Sequence, residues 1–423
     1  MMPSIGYGDG QVDFELPDGW RPSLLVPKGM PSLEDPAGEV ARAVAHPVSS
    51  PPLTEVLDGA GSLVIVVSDK TRITGAGVVL PVLLNAANDA GVPDPGITVL
   101  FACGTHAMHT DEERRAIVGE EVTSRVRLVD HDCRAEDMVS VGTTGAGTPV
   151  RINRMAHEAD RLVITGTAQF HYFAGFGGGR KSVLPGICAE ETIVRNHAFT
   201  MDPGGGRNPH CRPAKLDGNE VSEDMTEATR MVSPDFLVNV VLNDRREIAA
   251  VFAGDWEKAH RKACETVTAH FAVKIGEHAD VVIATPGGYP KDINYIQSHK
   301  AYDNAFYAVK KGGVVILAAE CRDGLGNEIL EEYLAVPSIE EHEKRLKDHF
   351  QISGHTALAH RLKTQAVHTI MVTKMDDARA ALLGVERASD MADALEKAAA
   401  HLETDRPLVH ILPEGYTTLP RLG

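Results

Sequence analysis

Leu63-Val64-Ile65-Val66-Val67-Ser68, followed at once by Asp69-Lys70-Thr71-Arg72, is the stretch on which the fold turns. Five apolar residues closing on a polar loop read as a strand buried on both faces, as in a parallel sheet. Residues 97–101 and 162–166 (Leu-Val-Ile-Thr-Gly) repeat the pattern, and helical spacing, as in residues 79–90, fills the intervals. Strands alternating with amphipathic helices predict an α/β fold with mainly parallel sheets.

Working outward, Phe236–Leu242 reads as a strand and a helix begins near Trp256. After about Ala272 the pattern restarts with a strand at 281–285, a Gly-Gly-Tyr-Pro turn, a helix around 301–309 and a strand at 314–318. A last strand, Leu408–Leu412, precedes a tail expected to complete the second sheet or fold back on the first. At 423 residues the chain exceeds the size at which a single core stops growing. The expectation is two α/β domains, 1–272 and 273–423, with an active-site cleft between them. Residues 200–224, rich in Gly, Pro and Asn, read as one long ordered loop.

The formal charge of -17 disfavours a nucleic-acid or anionic-membrane surface, so an anionic substrate requires a local basic pocket. Six cysteines lie far apart with no Cys-x-x-Cys pair, which suits reduced thiols better than a zinc ribbon or a disulfide framework. The beginning, residues 1–14, is acidic and Gly-rich, and no apolar run approaches membrane-spanning length. The expected location is cytoplasmic, with no nucleic-acid or membrane partner.

In open α/β sheets ligands sit beyond the carboxyl ends of the strands, so the loops there carry the chemistry. Three stand out. The first holds Asp69, able to orient a ribose or base, and Arg72, whose planar fork suits a carboxylate or phosphate. The second is Cys103-Gly104-Thr105-His106-Ala107-Met108-His109-Thr110, where Thr110 and Glu113 form a capping-box pattern for the next helix. The third runs from Gln169 through His171-Tyr172-Phe173-Ala174-Gly175-Phe176 to Gly177-Gly178-Gly179-Arg180-Lys181-Ser182, a cradle suited to a phosphorylated ligand. Its ending resembles a P-loop, but Arg180 occupies the second glycine position, which argues against a nucleotide triphosphatase.

A short helix over 189–197 carries Glu190 and Glu191 in its first turn and His197 in its last. His106, His109, His171 and His197 are candidate metal ligands, although no compact metalloprotease spacing links them. In the second domain Gln297 and Lys300, at i and i+3, share a helix face and can bind a carboxylate.

Taken in order, Asp-x-Thr-Arg, Gly-Thr-His, His-Tyr-Phe-Ala-Gly-Phe-x-Gly-Gly-Arg-Lys, Asn-His and Gln-Ser-x-Lys resemble the nickel-dependent lactate racemase family between about Ser68 and Lys300. The resemblance implies a 2-hydroxy-acid racemase or epimerase working by reversible hydride transfer. It implies a nickel-pincer nucleotide, pyridinium-3,5-bisthiocarboxylic acid mononucleotide, attached covalently to Lys181, with nickel on His197. His106 and His171 correspond to the acid/base pair; Arg72, Gln297 and Lys300 match substrate-carboxylate positions; Asp69 falls near the cofactor. The Gly177, Gly178, Gly179 and Arg180 loop is expected at the cofactor phosphate. Separate cofactor-synthesis enzymes are implied as maturation partners.

Two departures fall on the substrate pocket: Ile296 precedes Gln297 where the family has tyrosine, and the only tryptophans are Trp20 and Trp256. The resemblance therefore fixes a small 2-hydroxy acid as substrate but not its side chain, and Arg195, His299 and Arg212 are candidates for a second carboxylate. The competing readings are a conventional histidine-metal hydrolase or lyase and a non-catalytic nickel-nucleotide binding protein.

Overall fold

The computed structural model describes residues 3–72 and 74–423, leaving Met1, Met2 and Ile73 outside the described residues. The chain forms two compact units. The larger comprises Gly29–Phe199 and His210–His270. The smaller gathers residues up to Lys28, Thr200–Pro209 and Phe271–Gly423.

The larger unit is built on a six-stranded sheet in the spatial order Ile248–Gly254, Phe236–Leu242, Arg161–Thr167, Leu63–Ser68, Ile97–Ala102, Arg127–Asp130. All neighbours are parallel except the first pair, which is antiparallel. Val64, Ile65, Val66 and Val67 are all buried, as a strand covered on both faces requires. The helix Ala76–Asp89 buries Val79, Leu80, Leu83, Leu84 and Ala87, a stripe that packs into the same core. From Leu63–Ser68 the chain first builds outward through Ile97–Ala102 and then returns to the other side at Arg161–Thr167. That reversal is the switch point at which open sheets leave a crevice beyond their carboxyl ends.

The smaller unit carries a second six-stranded sheet in the order Glu386–Ala388, His368–Val372, Val309–Ala318, Ala279–Ala284, Leu408–Leu412, Arg21–Leu24, parallel throughout. A single cut at 272/273 therefore differs from the compact units. Arg21–Leu24 finds its backbone partners on Leu408–Leu412, and Pro22, which has no N–H, is tolerated because this strand is an edge. The N-terminal hairpin of Ser4–Tyr7 with Gly10–Asp13 belongs here too, with Ile5 and Phe14 packed among Val281, Ile283, Val314 and Ile316. Segment Thr200–Pro209 joins the same unit, where Arg207 Nη1 donates to Asp303 Oδ1 at 3.1 Å and the Gly206 N–H to Glu343 at 2.7 Å.

Two boundaries moved for identifiable reasons. The helix expected at 301–309 is Tyr295–Phe306, because the Asn294 side chain accepts from the Gln297 N–H and caps it earlier. Asn219 likewise caps Glu220–Val232, shortening the expected loop. Leu408–Leu412 lies inside the second sheet, whereas Leu419–Leu422 forms its own parallel pair with Ala272–Ile275. Among the described residues no helix is long and apolar enough to cross a membrane.

The hairpin is held by Asp292, fully buried, whose Oδ2 accepts from the Gly8 N–H at 2.7 Å and the Glu320 N–H at 3.2 Å. Asp292→Ala strands both donors, at about 1–3 kcal/mol each. Urea titration is expected to show a lower midpoint, and limited proteolysis early cleavage within residues 3–28; an unchanged midpoint and cleavage pattern would count against this anchoring.

Candidate active site

The three loops singled out in the sequence emerge from neighbouring strands, since Ser68 pairs with Ala102, and Val66 with Ile164 on the other side. Asp69 is buried and its Oδ2 lies 2.9 Å from His106 Nδ1, with the Thr71 N–H on Oδ1 at 2.6 Å. Burial pushes the Asp69 carboxyl up, but the His106 hydrogen bond and charge, the Thr71 N–H and Arg72 pull it down to about 2. An ionised Asp69 keeps the proton of neutral His106 on Nδ1 and leaves Nε2 as a proton acceptor. Asp69 thus orients a histidine.

His109, one of the four candidate metal ligands, is used differently. Its Nε2 accepts the Lys70 N–H at 2.9 Å, and its Nδ1 donates to Asp130 Oδ1 at 3.0 Å. Asp130 is also gripped by Arg114. Cys103, His109 and Asp130 lie close enough to hold an ion, but both ring nitrogens of His109 are already engaged, with the Lys70 N–H and with Asp130. This trio braces the loop that carries Asp69.

The third loop opens with a small antiparallel pair, Phe170–His171 with Gly175–Phe176, which composition alone did not reveal. At its turn the Ala174 N–H donates to His171 Nδ1 at 3.3 Å, which places the proton of neutral His171 on Nε2.

The Phe173 ring is the meeting point. His171 lies edge-on to it at 4.5 Å between centroids, His197 at 5.1 Å, and Lys181 Nζ sits 5.4 Å from its centre. Lys181 is part-buried, and desolvation, followed by Arg72 and Arg180, holds its amine well below the usual lysine range. His197, 5% exposed, occupies the last turn of helix Glu190–Ala198, as the sequence indicated.

The glycine cradle is more committed than expected. The Gly177 N–H donates to Gln169 O and the Gly179 N–H to Asn239 Oδ1, while His260 Nε2 donates to Gly177 O. Gly179 has φ +53°, and a Cβ there would lie 2.5 Å from the His260 ring, so only glycine fits. Arg180 is 2% exposed and donates from Nη2 to Ala174 O at 2.6 Å. These hydrogen bonds fix the backbone of the glycine stretch and the Arg180 guanidinium. Asn239 and His260 were missed; the lone asparagine within the apolar strand Phe236–Leu242 was the available signal.

Gln297 and Lys300 lie on helix Tyr295–Phe306 of the smaller unit, where Lys300 Nζ donates to Gln297 Oε1 at 2.9 Å and to Tyr416 Oη at 2.8 Å. Tyr416 was not anticipated. His299 is buried and, chiefly by desolvation, pulled down to about 3, so it is neutral near pH 7 and is no cation for a second carboxylate. Arg195 stacks over Phe199 at 5.6 Å.

Comparison with known proteins bears on this arrangement. Residues 7–207 match the lactate racemase N-terminal domain and residues 275–419 the lactate racemase C-terminal domain. A lactate racemase of Thermoanaerobacterium thermosaccharolyticum is 37% identical over 327 residues, covering 77% of this chain and 75% of that protein. One from Lactiplantibacillus plantarum is 32% identical over 394 residues, 89% of each. The structure of the T. thermosaccharolyticum lactate racemase apoprotein superposes with a TM-score of 0.92 at 32% identity over the whole of both chains. A Thermotoga maritima protein of 17% identity, TM-score 0.67, covering 93% of this chain and all of its own, shares the fold. The chain belongs to the lactate racemase family and is an enzyme of the isomerase class.

Proposed function

We propose that this racemase interconverts the stereoisomers of a 2-hydroxy acid by reversible, proton-coupled hydride transfer, using a nickel-pincer nucleotide joined to Lys181 with nickel on His197. The observation that carries the reading is the gathering of His171, Lys181 and His197 around Phe173, with the Lys181 amine held well below the usual lysine range. A neutral amine is a nucleophile and can be acylated, whereas an ammonium cannot. Imidazole is a suitable nickel ligand, and a single histidine suffices when a cofactor supplies the rest. Lys181 and His197 thus fit the group.

When bound, that group supplies a hydride acceptor for the substrate's C2. The chain supplies the proton chemistry and the grip. Arg72 binds the substrate carboxylate through its fork. His106, its Nδ1–H held by Asp69, takes the hydroxyl proton at Nε2. The 2-keto acid so formed is planar, and on the opposite face His171 returns a proton as C2 is reduced again, giving the other stereoisomer. The Gly177–Gly179 stretch serves by close backbone approach, and Arg180 by its charge. Lactate, the substrate in the relatives' names, is the first to assay.

Protein made together with the cofactor-synthesis enzymes is expected to gain mass at Lys181 and to carry about one nickel per chain; no adduct despite proven cofactor supply would overturn the proposal. His106→Ala and His171→Ala should each lower kcat by roughly 10²–10⁴-fold with nickel retained, whereas His197→Ala should lose nickel. Full racemisation by either acid/base variant would refute the assigned roles.

The lowered amine also has a stability signature. Between its lowered folded pKa and the unfolded value of about 10.4, the unfolded chain binds the proton that the folded chain excludes, so stability rises with pH through that window. In unmodified protein Lys181→Met should therefore raise Tm at pH 7, with the gain shrinking towards pH 10. An equal gain at both values would mean that the amine titrates normally.

A further inference from the structure

Asp224, 2% exposed on helix Glu220–Val232, is a buried carboxylate that the proposed chemistry does not use. Three neutral donors converge on it. Thr144 Oγ1 donates to Oδ1 at 2.5 Å, and Thr148 Oγ1 and Asn196 Nδ2 donate to Oδ2 at 2.9 and 2.8 Å. The threonines sit on the turn between strands Val139–Thr143 and Pro149–Ile152, and Asn196 immediately precedes His197 in helix Glu190–Ala198. Asn196, itself fully buried, also donates to Val221 O at 3.1 Å.

Burying a carboxylate is costly unless its hydrogen bonds are made, and simple packing of two helices would be served by apolar residues. What the charge adds is strength and direction: charge-assisted hydrogen bonds are about twice as strong as neutral ones. Asn196 is thereby clamped at two points to helix Glu220–Val232, one residue before His197. A helix pinned there cannot turn about its axis, so the His197 ring keeps its edge-on contact with Phe173. Functional side chains must be held within about 0.5 Å and 10–20°.

We propose that Asp224, acting through Asn196, is a positioning residue that sets the rotation of helix Glu190–Ala198 and so aims His197 at the metal. The proposal rests on His197 being the nickel ligand. Lost support of this kind lowers metal affinity by roughly 10–100-fold.

The test is Asp224→Asn, isosteric but presenting N–H groups where donors already point. Expected are a wild-type level of adduct at Lys181 and nickel released to a chelator at least about 10-fold faster than from wild type. Asp292→Ala, destabilised in the other unit, should release nickel at the wild-type rate. A lowered Tm with unaltered nickel release would make Asp224 a purely structural residue and overturn the proposal. Thr148→Val, which removes one of the three donors, serves if Asp224→Asn does not fold. Crystal structures of unmodified wild-type and variant protein give a reading independent of the cofactor: the His197–Phe173 centroid distance of 5.1 Å should change by more than about 0.5 Å, and an unchanged distance refutes the clamp. Wild-type protein lacking adduct and nickel under proven supply would instead strike down the proposed function, leaving that structural comparison to decide the clamp.

Discussion

The site in the larger unit depends on two adjacent basic side chains being withdrawn from water to different extents. Arg180 is buried and Lys181 part-buried, and they respond differently. Burial draws the guanidinium down only to about 10, so it stays charged, and that charge, with Arg72, helps to drive the proton from the lysine beside it. Arg180 Nε and Nη1 have no hydrogen-bond partner among the described residues, so the charge is poorly compensated locally. An interior that tolerates an imperfectly solvated cation thereby lowers the pKa of the amine beside it.

The scaffold makes this arrangement affordable by repetition of one rule. Parallel strands in register deliver loops side by side, and each loop is then fixed by a buried polar brace. Asp130 and His109 hold the Lys70 backbone, Asn239 and His260 hold the glycine stretch, and Ser182 Oγ ties the end of that stretch to Thr165 O at 2.7 Å. None of these braces belongs to the residues assigned chemistry, yet together they leave little play in those that are.

The sheet of the larger unit was legible because unbroken apolar runs such as Leu63–Ser68 have few alternatives to a doubly covered strand. The clustering of His106, His171, Lys181 and His197 in one unit followed from loops at the carboxyl ends of those strands and from the resemblance. Direction was much less legible. Asp69 turned out to address His106, Arg180 points into the interior, and His109 faces a carboxylate; residue type restricts such choices, but only tertiary packing makes them. The attachment of Arg21–Leu24 to the second sheet was also hidden, since a four-residue edge strand containing proline carries almost no local signal and its partner lies at the far end of the chain.

That pairing has a consequence for biosynthesis. Arg21 Nε donates to Arg406 O across 385 residues, and the same early strand zips onto Leu408–Leu412. On the ribosome the beginning of the smaller unit leaves the exit tunnel long before its docking strand has been translated, while the larger unit's sheet, all of it within residues 63–254, can close in the meantime. The larger unit can therefore assemble during elongation, and the smaller one can be sealed only after residues 408–412 emerge. A stalled or truncated message would release a chain with one finished half and one unpaired sheet edge, the kind of surface that recruits chaperones or aggregates.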